Sequence, residues 1–253
     1  LPPFNTVRAQ VIRRGHSPDI TTSDVTVKYE FTTNTHSSDK TNFWRFAPQL
    51  LGANLDRDVG LAGFGMSGAM TRDTAHRSFI ATGIPITPID DDGKENPYPL
   101  VHITARLNNT VVAQTQAVVP VSWEMSCNLC HSEVGKSVAT NVLEAHDRLH
   151  ATDLINHQPV MCASCHSDNA LGTPGTPGVP SLSSAMHGAH ATRMNTITMD
   201  NTCYACHPGE RTNCQRDVHS SNNVTCVSCH GTMEQVANPA RNPWVQEPRC
   251  DSC

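Results

Sequence analysis

Apolar and polar residues alternate through Val25–Phe31, with Val25, Val27, Tyr29 and Phe31 set against Thr26, Lys28 and Glu30. A period of two is that of a strand with one buried face. Tyr98–Leu107 and Thr110–Val119 are two further strand candidates, and Asn108-Asn109 between them predicts a tight hairpin turn. Val7–Arg13 reads as another strand. Asn42–Leu55 reads as one short helix turning Phe43, Phe46 and Leu50 inward. Asp90-Asp91-Asp92-Gly93 marks a turn. The stretch Gly60–Gly68 is rich in glycine, but no strand precedes it and no Gly-Lys-Ser/Thr ends it. It reads as a loop needing positive φ, not a phosphate cradle. Residues 1–122 thus predict a small antiparallel β-sandwich-like domain.

Beyond residue 122 the period of two disappears. Val134–His150 fits a helix with Val138, Val142, Leu143, His146, Leu149 and His150 on one side. Ser181 is an N-cap for a second helix carrying Met186, His187 and His190. Gly172–Pro180 between them is a Pro/Gly loop. The rest predicts long loops with little regular structure. The whole chain is therefore mixed, with domains at 1–122 and 123–253.

Composition sharpens the boundary. All six phenylalanines precede residue 80, and all eleven cysteines follow residue 126. From Trp123 onward, 18 of 131 residues are Leu, Ile or Val and none is Phe. That lies below the rough 20% at which a chain stops burying enough apolar surface to fold. This segment needs a core from elsewhere.

The cysteines supply a reason. Cys-x-x-Cys-His occurs four times, as Cys127/Cys130/His131, Cys162/Cys165/His166, Cys203/Cys206/His207 and Cys226/Cys229/His230. This is the c-type haem attachment motif. Two thiols bond the two vinyl groups of one haem, and the next residue offers an imidazole to the iron as proximal ligand. Zinc ribbons also use Cys-x-x-Cys pairs, and Cys203/Cys206 with Cys226/Cys229 have nearly that spacing. A four-thiolate zinc site does not require histidine after each pair. With 14 histidines in 253 residues, four such hits by chance come to about 10⁻⁵. Cys250 and Cys253 form a fifth pair that ends the chain. A disulfide is the simple alternative there. A fifth haem would take its proximal imidazole from a following residue if the chain continues, or otherwise from another segment or subunit. The predicted cofactor is haem c, at least four copies and five with this pair. Cys214 is left over and reads as a buried structural thiol.

Ten further histidines remain. Six lie among the motifs: His146, His150, His157, His187, His190 and His219. These are the candidate distal ligands. His187 and His190, three apart on one helix, can serve two adjacent haems. Iron held by two histidines has no open position, which favours electron transfer over catalysis.

The motifs resemble those of extracellular and outer-surface multihaem c-type cytochromes of metal-reducing bacteria, a group that includes filament-forming members. The resemblance is strongest from Cys127 onward and extends to Val119–Cys127 and Ala185–His190. It implies closely spaced haems passing electrons to redox partner proteins or extracellular acceptors, and it admits a homopolymer with haems meeting between subunits. His16 is the candidate donor to a neighbouring subunit. Covalent haem attachment takes place outside the bacterial cytoplasm, so an extracellular or cell-surface location follows, with periplasm as the alternative. The start Leu1-Pro2-Pro3 reads as a processed or partly observed product. The formal charge of -5 argues against nucleic acid. No apolar run is long enough to predict a transmembrane segment. Three other classes stay open: a multihaem oxidoreductase with one five-coordinate catalytic haem, a structural filament with haem as core, and a zinc protein.

Overall fold

A computed structural model describes residues 3–213, 215 and 217–242. The protein is mixed α/β, with antiparallel sheets and short helices. It divides into two compact units, Leu1–Trp123 and Glu124–Cys253.

The first unit is built on strands. In chain order they are β1 (Asn5–Ala9), β2 (Val11–Arg13), β3 (Asp19–Thr21), β4 (Val25–Phe31), β5 (Ser67–Ala69), β6 (Thr71–Asp73), β7 (Ser78–Ile84), β8 (Leu100–Leu107) and β9 (Thr110–Val118). They form a sheet β5-β4-β8-β9, a sheet β1-β7-β6 and a β2-β3 pair, all antiparallel. The alternation in β4 is realised: its four apolar residues are buried and its three polar ones exposed. One core cluster takes Val27, Tyr29, Phe31, Val101 and Ile103 from the larger sheet and Val7, Phe79, Ala81 and Ile84 from the other. The β8–β9 hairpin turns at Asn108 and Asn109, both at positive φ (48° and 69°). Such a turn follows the twist of its strands, and asparagine tolerates that conformation.

Three expectations change. Val7–Arg13 is not one strand, because pairing passes from β7 to β3 between Ala9 and Val11. The helix α1 is Phe43–Leu51, shorter than 42–55, and stops at Gly52 in the left-handed conformation (φ 64°). Its fully buried residue is Ala47, while Phe43, Phe46 and Leu50 are half-buried. β7 carried no sequence signal because none of its residues is exposed, which removes the polar half of an alternation.

The second unit holds α2 (Val138–His150) and α3 (Leu182–His190), then three short helices, α4 (Val218–Ser221), α5 (Cys226–His230) and α6 (Met233–Val236). Ser137 and Ser181 cap α2 and α3, their Oγ atoms accepting from the N–H of Thr140 (3.1 Å) and Ser184 (3.2 Å). Residues 134–136, expected in the first helix, lie ahead of this cap, and Ser137 is the cap itself. The buried apolar residues described here are Ala163, Ala191, Met194 and Ala205. On the face expected to turn inward, Val138, Val142 and Leu149 are exposed, while Leu143 and His146 are half-buried.

Candidate haem-binding site

Each of the first three motifs folds as a tight turn centred on its first cysteine. The Cys127 carbonyl accepts from the N–H of Cys130 (3.2 Å) and of His131 (2.8 Å). Cys162 does the same for Cys165 (3.2 Å) and His166 (3.0 Å), and Cys203 for Cys206 (3.2 Å) and His207 (2.9 Å). One chain spacing thus gives one repeated arrangement of two thiols and an imidazole. The fourth motif, Cys226 to His230, is a single helical segment, α5. The eight cysteines of these motifs are free thiols.

Three motif histidines each lie beside a spare one. Ring centroids are 6.4 Å apart for His131–His190, 6.3 Å for His146–His166 and 6.0 Å for His187–His207. Imidazoles bound at about 2.0 Å on opposite sides of one metal, with about 1.1 Å from nitrogen to ring centre, put centroids about 6.2 Å apart. All three pairs fall beside that value.

The surroundings orient these rings. His187 and His190 donate Nδ1–H to the carbonyls of Ser183 and Met186, both at 2.7 Å. His166 Nδ1 donates to the Pro180 carbonyl (2.8 Å). His146 Nδ1 lies 2.8 Å from Thr152 Oγ1, whose hydroxyl donates to Asp147 Oδ1 (2.6 Å), so the imidazole is the donor. Engaging Nδ1 fixes the tautomer that leaves Nε2 as the free lone pair, the usual support of a metal-bound histidine. Burial lowers the pKa of His131, His146 and His207 below the ordinary imidazole value. Nearby histidines add to it: His190 for His131, His150 and His166 for His146, and His187 and His230 for His207. The neutral ring is the ligating form.

The other candidates lie elsewhere. The His150 ring centre is 4.8 Å from that of His146, too near for one iron between them. His157 directs Nε2 to Asp153 (3.4 Å) and is 73% exposed. His219 pairs Nδ1 with Asp217 (3.1 Å) and is 62% exposed. Cys250, Cys253 and Cys214 lie outside the described residues. Sequence reasoning did not find Thr152, whose link to His146 depends on the chain turning back after α2. It also passed over Glu124, 8% exposed, which accepts from the N–H of Gly209 (2.6 Å) and Thr212 (2.5 Å) and holds the loop after the third motif.

Haem suits this donor set on two counts. The exposed apolar residues of α2 and the sparse apolar core leave room for large apolar discs, and the paired imidazoles have the spacing of two axial ligands. Among the described residues no three His, Cys, Asp or Glu side chains converge as a metal cage; an axially paired haem requires only two. Neither a family model, nor a curated protein, nor a solved structure matches the chain.

Proposed function

We propose that the protein is an electron-transferring multihaem c-type cytochrome, with a sandwich-like β unit preceding a haem-binding unit. The observation that carries this reading is the set of three imidazole pairs at 6.0–6.4 Å, each joining a motif histidine to a spare one. His190 is then the distal ligand at the first motif, His146 at the second and His187 at the third. At these three motifs the two thiols would hold the porphyrin edge and the paired imidazoles would bind the iron, with the Nδ1 partners of His146, His166, His187 and His190 keeping those rings aimed. Haem iron so bound exchanges single electrons and offers no position to a substrate. This favours an electron carrier over an enzyme.

The reading extends to an exported protein at or beyond the cell surface, passing electrons to redox partners or external acceptors. No helix among the described residues is long and apolar enough to cross a membrane. Assembly into a polymer belongs to the same proposal, with Cys250 and Cys253 as the fifth attachment point. Mass spectrometry of the denatured protein tests the central claim. The polypeptide should carry four or five covalent haems; a mass equal to bare chain, or to chain plus zinc, would falsify it.

A further inference from the structure

We infer that the first, third and fourth motifs set their haems in one row, in the order one, three, four, with α3 spanning the first and third. This rests on the haem reading above and adds an order that the sequence does not contain, since the second motif is skipped.

The helix α3 is the first support. His187 and His190 are three residues apart, about 60° around the axis and about 4.5 Å along it. The former faces His207 and the latter His131. One helical turn therefore serves two motifs far apart in sequence. The backbone joins the same two motifs: Ser126, just before Cys127, donates its N–H to the carbonyl of Ala205, which lies between Cys203 and Cys206 (2.8 Å).

The third motif also meets the fourth. Cys203 is within hydrogen-bonding reach of Cys226. Asn201, the cap of the third motif's turn, directs Nδ2 to Cys226 Sγ (3.5 Å). Gln215 Oε1 accepts from the Tyr204 hydroxyl (3.0 Å) and from the Cys226 thiol (3.9 Å), tying the two motifs through one side chain.

The second motif is held differently. Its Cys165 carbonyl accepts from Thr176 (2.7 Å), and Ser167 accepts from Leu182 (2.9 Å). Gly175, at φ 67°, lies so close to the Ser167 backbone that a side chain there would collide with it. The Pro/Gly loop folds back on the second motif and then delivers α3 to the first and third.

Two experiments test the order. Anomalous scattering from iron in crystals of the holoprotein locates each metal. The iron at Cys127/Cys130 should have the iron at Cys203/Cys206 as its nearest neighbour, with the iron at Cys226/Cys229 next beyond. A first iron lying nearest the second motif's iron, or another iron between the third and fourth, overturns the order. In solution, the double variant His187→Ala/His190→Ala opens the first and third haems to carbon monoxide after reduction. Adjacent labelled haems should give a two-signed circular dichroism band at the shifted Soret wavelength, larger than that of His146→Ala/His190→Ala, which labels the second and first. Carbon monoxide bound at both opened sites without that band, or with the larger band in the other variant, overturns the proposal. If the double variants do not retain haem, the iron positions of the unaltered protein decide. Failure of the haem reading is recognised separately, by a chain without haem mass or Soret absorption.

Discussion

At the scale of single residues, the histidines divide into those whose geometry suits a metal and those engaged elsewhere. His146, His187 and His190 face motif histidines and have Nδ1 occupied; His157 spends Nε2 on Asp153. His146→Ala, His187→Ala and His190→Ala should each convert one haem from low to high spin, read by electron paramagnetic resonance. His150→Ala and His157→Ala should leave the spectrum as it was. High-spin signal from the latter two and none from the former three would reverse the assignment. The repeated motif turn was legible in the sequence, because the Cys-x-x-Cys-His spacing recurs unchanged. The pairing was not, since it depends on where α2 and α3 end up. His146 and His150 look equivalent as i and i+4 on one helix face, and only the placement of His166 separates them.

At the scale of elements, legibility followed solvent exposure. β4 and the β8–β9 hairpin have one wet face or a turn with its own chemistry, and both were readable. β7 has neither, yet Ile84 at its end is fully buried in the core cluster. Ile84→Ala should cost about 2–5 kcal/mol, the range for emptying a buried aliphatic site. Urea denaturation would show it as a lower midpoint at unchanged slope. The segment after β4 is tied down by charge. Asp91 accepts from the Thr35 N–H (2.9 and 3.0 Å) and from Lys40 Nζ (2.7 Å). Burial pushes this carboxyl up, but Lys40 and Thr35 outweigh it and bring its pKa down to about 2. A folded pKa below the unfolded value, about 3.9, means stabilisation that is full above the unfolded value. It is lost as pH falls toward about 2. The first unit's melting temperature should drop across that window, and Asp91→Asn should flatten the drop. An equally steep drop in the variant would assign it to other carboxylates.

At the scale of the whole molecule, the two units differ in the apolar surface that their described residues bury. The first has a conventional core of Val, Ile, Phe, Tyr and Met side chains. The second buries three alanines and one methionine among its described apolar residues, and leaves Leu149, Met186 and Val218 exposed. Ordering each residue costs about 1–2 kcal/mol of backbone entropy. Burying an aliphatic side chain returns about 1.5–3 kcal/mol, so the four fully buried residues described here offset only part of that cost. The turns at the motifs and the caps on α2 and α3 set local geometry, but short isolated helices are marginal in water. The haems of the proposed function would supply the missing apolar surface, each fastened by two thiols and two imidazoles. The full chain produced without the attachment machinery should then be half folded. Its first unit should melt cooperatively, while limited proteolysis should cut readily throughout the segment after Trp123. Attachment of haem should remove that sensitivity. A haem-free chain whose second unit resists protease and melts as a cooperative body would mean that the protein, not the cofactor, forms its core.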